Sequence, residues 1–300
     1  MRAIAAGMGL GMLLAGASAW TKNNPPVQTQ SAASAEQVSS GASPDYTAVY
    51  CSGFVTSDYN DQTRIISGEE SNAKIVFATR DYVYISKGSS QGVRVGDRYT
   101  VVRPDKDPIE VQWFKWQNKL MKAMGHYYID AGQLKVINVQ PNVATAEVTF
   151  ACGYLQRGDI IQPFQERPVP PFKAAAENDR FAPVSGKAVG MLVVGKDFAQ
   201  TYGKFSSVYV NLGNNQGVKV GDYLRVFRYQ GSHAELAPNF EDFQYKMYGF
   251  GSTPQKYEWN DLPREIIGEG IVLSTGPNSC TLLITYSRLE MYAGDYVEVE

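Results

Sequence analysis

The sequence has few of the side chains on which most enzyme mechanisms depend. Its 300 residues include two histidines and three cysteines, and neither His126 nor His233 has another histidine or a cysteine within four residues. It contains no phosphate-binding P-loop, no Gly-x-Ser-x-Gly turn, no His-Glu-x-x-His pair and no dinucleotide fingerprint in a βαβ frame. These absences predict a protein that is not an enzyme and uses neither a cofactor nor a metal.

The chain also lacks an excess of charge of one sign. It carries 28 Lys and Arg residues against 30 Asp and Glu residues, so its formal net charge is −2. Nucleic-acid-binding proteins concentrate positive charge on one face, which excludes nucleic acid as the predicted partner. Hydrophobic residues make up 44% of the chain and charged residues 19%, which is typical of a globular protein.

The first 19 residues contain a short apolar run that begins after Arg2. The run from Ala3 to Ala17 is shorter than the ~20 residues that a membrane-spanning helix needs. It ends in Ala17-Ser18-Ala19, a small-residue cleavage site. We therefore predict a signal peptide over residues 1–19, cleaved after Ala19, and a periplasmic or extracellular protein. The alternative is an uncleaved segment, which would then be the chain's only attachment to a membrane.

What the chain does contain is a repeat. VYISKGSSQGVRVGDRYTVVR (83–103) and VYVNLGNNQGVKVGDYLRVFR (208–228) align without a gap, and 11 of 21 positions are identical. A second pair of segments, 132–161 and 268–297, aligns with shared Gly, Pro-Asn and Gly-Asp positions. The chain is therefore predicted to be a duplicated module.

Composition sets the boundaries of the two repeats. Residues 20–45 are rich in Ser, Ala, Gln and Pro and are predicted to form a disordered tether. Residues 165–185 contain four prolines and are predicted to link the repeats. The repeats then span 46–164 and 186–300.

Each repeat is predicted to be all-β with minor α, a small β-barrel with one short helical insertion. Apolar residues alternate with polar ones in segments such as 144–150, which indicates half-buried strands. Upstream, Gly53-Phe54-Val55 aligns with Gly190-Met191-Leu192 as the first strand of each unit. The insertions predict helices over 108–124, ended by Gly125, and over 240–248, preceded by the cap Asn239.

A Gly-Asp pair recurs four times, each time before a strand. Because one pattern is used so often at the same kind of position, we expect turns rather than catalytic or metal-binding carboxylates. The predicted turn residues are Gly92, Gly96, Asp97, Gly158, Asp159, Gly217, Gly221, Asp222, Gly294 and Asp295.

The cysteines divide between the repeats. Cys51 and Cys152 lie near the two ends of the first repeat, whereas Cys280 lies in the second, where its counterpart is Ala144. A Cys51–Cys152 disulfide with Cys280 free and buried is therefore preferred over three unpaired thiols.

Aromatic residues crowd the two insertions. Trp113 and Trp116 share one face of the predicted helix, so core packing is expected for at least one of them, whereas Phe114 lies off that face. As a group these aromatic residues are candidates for binding a partner, because Tyr and Trp are favoured at interfaces and stack on sugars. The candidates are Trp113, Phe114, Trp116, Tyr127, Tyr128, Phe250, Tyr257 and Trp259.

The repeated motif resembles the C-terminal β-barrel domain of the flagellar assembly protein T family. The residues that carry the resemblance are 83–103 with 132–148, and again 208–228 with 268–284. The resemblance implies a periplasmic, non-enzymatic protein that binds other envelope proteins and builds a ring by homo-oligomerisation. The motif specifies a fold better than it specifies flagella.

Taken together, these features predict an exported, non-enzymatic structural or assembly component of the cell envelope. It would act as a part of a flagellar basal body or as an adaptor of a secretion machine. The alternative is a module that binds peptidoglycan or another glycan.

Overall fold

The computed structural model describes residues 42–57, 62–70, 73–107, 111–173, 179–229 and 263–300. All of them belong to one compact unit, Val38–Glu300. The predicted tether up to residue 41, the helix expected over 240–248 with its cap Asn239, and the candidates Phe250, Tyr257 and Trp259 lie outside these ranges. The described residues form mainly strands, so the predicted fold class, all-β with minor α, is confirmed.

The first repeat forms a six-stranded barrel, here called barrel 1. Its strands follow the order β2-β4-β7-β6-β5-β9, and β1 pairs with the start of β6. The sheet closes where Arg64 bridges to Ile160 and the Ile161 amide donates to the carbonyl of Thr63. The strands are β1 (Phe54–Thr56), β2 (Ile65–Gly68), β3 (Val76–Phe77), β4 (Tyr82–Ile85), β5 (Arg98–Asp105), β6 (His126–Val139), β7 (Ala144–Ala151), β8 (Leu155–Gln156) and β9 (Ile160–Pro163).

The second repeat forms a closed barrel, here called barrel 2, with the order β10-β12-β15-β14-β13-β17. The two strand orders correspond one to one, and each barrel has an additional two-stranded pair, β3–β8 or β11–β16. The strands are β10 (Val189–Gly195), β11 (Thr201–Tyr202), β12 (Ser207–Val210), β13 (Tyr223–Arg228), β14 (Glu265–Thr275), β15 (Cys280–Ser287), β16 (Met291–Tyr292) and β17 (Tyr296–Val299).

The predicted equivalence of residues 53–55 with residues 190–192 is wrong. Strand β10 pairs with β12, and its counterpart in barrel 1 is β2, which pairs with β4. The two strands also share a glycine at their ends. A Cβ on Gly68 would lie 2.1 Å from the ring of Phe77, and one on Gly195 would lie 2.7 Å from the ring of Tyr202. Glycine at this position lets the β3 or β11 aromatic ring pack against the barrel.

The four Gly-Asp turns share one hydrogen-bond pattern. Asp97 Oδ2 accepts the amide of Arg94 at 2.9 Å, and Asp222 Oδ2 accepts the amide of Lys219 at 2.8 Å. Asp159 and Asp295 accept the amides three residues before them in the same way. The glycine before each aspartate has φ between 89° and 103°, a conformation that side chains disfavour.

In the turns of Asp159 and Asp295 the carboxylate has a second role. Arg103 binds Asp159 with two hydrogen bonds of 2.7 and 2.8 Å. Arg228 binds Asp295 with two of 2.7 Å. Because both carboxylates are buried and both oxygens are paired, each ion pair ties a turn to the end of a long strand, β5 or β13.

The helix predicted over residues 108–124 begins later than expected. Helix α2 spans Gln117–Met124 and ends at Gly125, which was the expected end. Trp116 precedes it with a left-handed φ of 77°, so the described residues from 111 to 116 form turns instead. The helical spacing of Trp113 and Trp116 therefore does not reflect helix, and of the apolar residues from 111 to 116 only Phe114 is buried.

The Cys51–Cys152 disulfide is confirmed, and Cys280 is free and buried. The two bonded residues are 101 positions apart and their Cα atoms are 5.5 Å apart. Cys51 follows helix α1 (Tyr46–Tyr50), so the bond fixes this N-terminal helix to the end of β7. Burial raises the pKa of the Cys280 thiol, which keeps it protonated.

Replacing Cys51 and Cys152 together by Ser should lower the free energy of unfolding by about 4–5 kcal/mol, because a loop of about 100 residues is no longer closed in the unfolded chain. Urea unfolding under non-reducing conditions measures this loss. Cys280→Ala is the matched control and should cost less, since Ala occupies the equivalent position of barrel 1. An equal loss in both variants would contradict this account.

Candidate functional site

The aromatic residues of the first insertion separate into exposed and buried ones. Trp113 is 39% exposed and Trp116 is 60% exposed, whereas Phe114 is only 2% exposed. The expectation that at least one of the two tryptophans packs in the core is wrong, because both lie before α2 and both side chains are exposed. Phe114, expected off the helical stripe, is the buried one.

Phe114 anchors the insertion of barrel 1 in barrel 2. Its side chain belongs to the core cluster of barrel 2 and lies against Gly294, where a Cβ would be 3.2 Å from its ring. The side-chain amide of Gln117 donates to the carbonyl of Val193 and to Gln200, each at 2.8 Å. The start of α2 is therefore part of the contact between the barrels.

Tyr127 and Tyr128 are also buried. Tyr127 contacts Tyr209 of barrel 2 edge-on, with ring centroids 5.5 Å apart, within a cluster that includes Val55. Tyr128 stacks on Phe54 at 5.4 Å. Burial raises the pKa of Tyr127 and of Tyr209 above the ordinary value for tyrosine. Neither Tyr127 nor Tyr128 is on the exposed surface that a partner would meet.

The N-terminal segment 42–57 lies between the barrels and hydrogen-bonds to barrel 2. The hydroxyl of Tyr209 donates to the carbonyl of Ser52 at 3.2 Å. Thr281 donates to the carbonyl of Gly53 at 3.1 Å, and Ser279 donates to that of Val55 at 2.9 Å. These bonds cover the outer face of β12 and β15.

The predicted linker 165–185 reinforces this contact where it is described. Phe172 packs on Leu273 and Leu283 on the outside of barrel 2, and its amide donates to the carbonyl of Ala42. Lys173 forms ion pairs with Glu269 and Glu300 at 2.6 and 2.7 Å. The described part of the linker is thus fixed to the outside of barrel 2 and to the N-terminal segment.

The equivalent outer face of barrel 1 is exposed. Tyr84 is the counterpart of Tyr209 and is 36% exposed, whereas Tyr209 is 4% exposed. Ile66 and Ile137, also exposed, correspond to Val193 and Leu273, which are buried. We call the exposed surface on β2, β4 and β6 the barrel 1 face; its residues are Ile66, Tyr82, Tyr84 and Ile137.

The barrel 1 face is absent from the sequence-based candidates, because all of those aromatic residues come from the two insertions. The signal lay in YVYI, residues 82–85, where two tyrosines alternate with buried Val83 and Ile85. Alternation in a half-buried strand places both tyrosines on the outside. Comparison of the repeats would have shown that only Tyr84 is retained as Tyr in the second copy.

A cleft of about 560 Å³ lies between the barrels. Hydroxyl and amide side chains line it, together with the aromatic ring of Phe54 and the charged residues Glu166 and Arg167. The volume is that of a small-molecule site, and the lining suits a polar ligand. The groups that define its character are Thr56, Thr100, Gln162, Gln165, Ser274, Thr275 and Ser279.

A smaller cavity of about 320 Å³ lies beside α2 and contains Asp105, Asp107 and His126. Burial raises the pKa of Asp105, and the nearby Asp197 raises it further. Within the described ranges, no three His, Cys, Asp or Glu side chains are grouped in a way that could hold a metal ion. The described part of the chain also contains no helix long and apolar enough to cross a membrane.

Comparison with known proteins identifies no relative from which a function could be proposed. The chain matches no family model, and no curated protein matches it. The likeness to the flagellar assembly protein T family therefore rests on the repeated motif alone.

Phe114→Ala should destabilise the contact between the barrels, since a Phe→Ala change in a core costs about 3–5 kcal/mol. Limited proteolysis, with cleavage sites mapped by mass spectrometry, should show faster cutting near residues 111–116. Trp113→Ala is the matched control, and an exposed site should change stability by about 0.5 kcal/mol or less. Equal protection of Phe114→Ala and wild type would contradict the anchoring role.

Proposed function

We propose that this protein is an exported, non-enzymatic structural or assembly component of the cell envelope that binds a protein partner through the barrel 1 face. The observation that carries the proposal is that one duplicated surface is buried in barrel 2 and exposed in barrel 1. In barrel 2 this face is covered by the chain itself, whereas in barrel 1 it is exposed. The equivalent surface of barrel 2 therefore already packs against other segments of the same chain.

Three further observations support the proposal. The disulfide is compatible with an oxidising, exported location. The two barrels are packed through buried side chains. A fixed contact of this kind suits a structural component that holds its partners in a defined relative position. The resemblance to the flagellar assembly protein T family favours a role in a basal body or a secretion machine, with ring formation by copies of the chain as one mode of assembly.

The barrel 1 face has the composition of an interface. Ile66 and the two tyrosines lie on the neighbouring strands β2 and β4, whereas Ile137 lies on β6 beyond β7. Glu147 of β7 lies between Tyr82 and Lys135, with which it pairs across the two ladders. Tyr is enriched at the centre of interfaces, whereas charged residues are common at the rim. Apolar patches of this kind on a soluble domain mark interaction sites.

Glycan binding is the second candidate, and the inter-barrel cleft favours it. The cleft presents many hydroxyl and amide groups and the ring of Phe54, which are the groups that recognise sugars. The exposed tryptophans of the insertion do not line this cleft.

A double Ile66→Glu, Tyr84→Glu variant should lose its protein partners, because two carboxylates would be buried in the interface. The measurement is a crosslinked pull-down from whole envelopes, quantified by mass spectrometry. Leu289→Glu is the control, since Leu289 is exposed in barrel 2 and is not part of the face. Wild-type recovery of wall fragments alone would overturn the proposal in favour of glycan binding. Recovery of the same proteins by the double variant would overturn the role of the face.

A further inference from the structure

We propose that the loop before α2 is a docking site for an anionic phospholipid surface. The loop presents Trp113 and Trp116, both exposed, at one edge of the contact between the barrels. The ammonium groups of Lys115 and Lys119 lie 5.4 and 5.6 Å from the ring centroid of Trp116. This site is independent of the barrel 1 face.

The backbone of Trp116 adopts an energetically unfavourable conformation. Its φ of 77° is left-handed, which a bulky side chain adopts rarely. Strained residues of this kind persist where the surrounding structure fixes them, and they cluster at binding sites. Here Phe114 and Gln117, on either side, are anchored in barrel 2, so Trp116 is presented from a rigid base.

The chemistry of the loop selects an anionic, partly apolar surface. Residues 111–126 contain three lysines and no acidic residue, although the whole chain has a net charge of −2. Lys122 lines the cavity that contains Asp105 and Asp107, so Lys115 and Lys119 are the lysines that carry the attraction. A chain with negative net charge is attracted to an anionic surface only through such a local patch.

A lipid surface fits these groups better than a protein or glycan partner. Trp rings prefer the headgroup layer of a bilayer, where the apolar ring and the N–H group are both satisfied. Lysines beside the rings pair with lipid phosphates while their alkyl stems remain in contact with apolar surface. Neither tryptophan lines either cavity described above, which a stacking site for a sugar would favour.

The test is co-sedimentation of the purified full chain with vesicles. Wild type should bind vesicles of phosphatidylcholine mixed equally with phosphatidylglycerol, and should bind phosphatidylcholine alone far more weakly. Lys115→Gln with Lys119→Gln should weaken binding by about 25-fold, at roughly fivefold per lysine, and added salt should weaken binding of wild type. Trp113→Ala with Trp116→Ala should abolish the lipid-induced blue shift of tryptophan fluorescence.

The chain offers a matched control. Phe205 also has a left-handed φ and is exposed, and Lys204 lies 4.9 Å from its ring centroid. Phe205→Ala with Lys204→Gln should leave vesicle binding unchanged, because a single ring and a single lysine do not form the patch. Lys115→Arg with Lys119→Arg should bind as wild type, which separates loss of charge from loss of fold.

Three results would overturn the inference. The first is equal binding of wild type to both vesicle types, and the second is unchanged binding by the lysine-to-glutamine variant. The third is Trp116-dependent sedimentation with purified cell wall but not with vesicles, which would assign the loop to an anionic glycan. None of these results bears on the barrel 1 face, which is tested by protein partners.

Discussion

The N-terminal segment and the linker, which both contact barrel 2, are held on barrel 1 by one buried carboxylate, that of Asp130 on β6. It accepts the amide of Gly53 at 3.0 Å and two hydrogen bonds from Arg167 at 2.6 and 2.9 Å. Arg167 also donates to the carbonyl of Val49 at 3.0 Å. Barrel 1, the N-terminal segment and the start of the linker therefore meet at one ion pair. Losing Arg167 would leave the buried carboxylate of Asp130 without its counter-ion, which is among the most costly changes a fold can undergo.

This ion pair is not part of the duplicated module. The position equivalent to Asp130 in barrel 2 is Ile266, which packs with Phe227 and Ala182 instead. The duplicated residues therefore form the two barrels, whereas residues that differ between the repeats form the contacts that join them. Phe114 and Gln117 follow the same rule, because they lie in an insertion that differs between the repeats.

The features that could be predicted from the sequence are those determined locally. Gly-Asp turns need a glycine with positive φ and a short side chain that accepts a nearby amide, so each can be recognised within six residues. The disulfide could be inferred because the second repeat has no counterpart for Cys51 or Cys152, whereas Cys280 replaces an alanine. Strand identity in β7 followed from the alternation of apolar and polar residues over 144–150.

The remaining features depend on contacts between distant segments. Trp113, Phe114 and Trp116 have similar side chains, and only the position of barrel 2 decides that Phe114 is buried and its neighbours are not. The start of α2 was misjudged for the same reason, since a left-handed residue at Trp116 is stabilised by anchors on both sides of it. The first strand was misassigned because β1, added to the outside of barrel 1, is as apolar as the strand it was mistaken for.

The described residues contain two modules in series, and within them only the second has its outer face covered. In repeat proteins the terminal modules carry polar outer faces, because an apolar face without a neighbour reduces solubility and favours further stacking. The second module here has this face covered by the first module and by the linker, whereas the equivalent apolar side chains of the first module are exposed in the described structure. A third module, supplied by fusion or by design, would have a ready template in the contact between the existing two. Polar substitutions at the uncovered face would convert the open array into a closed one.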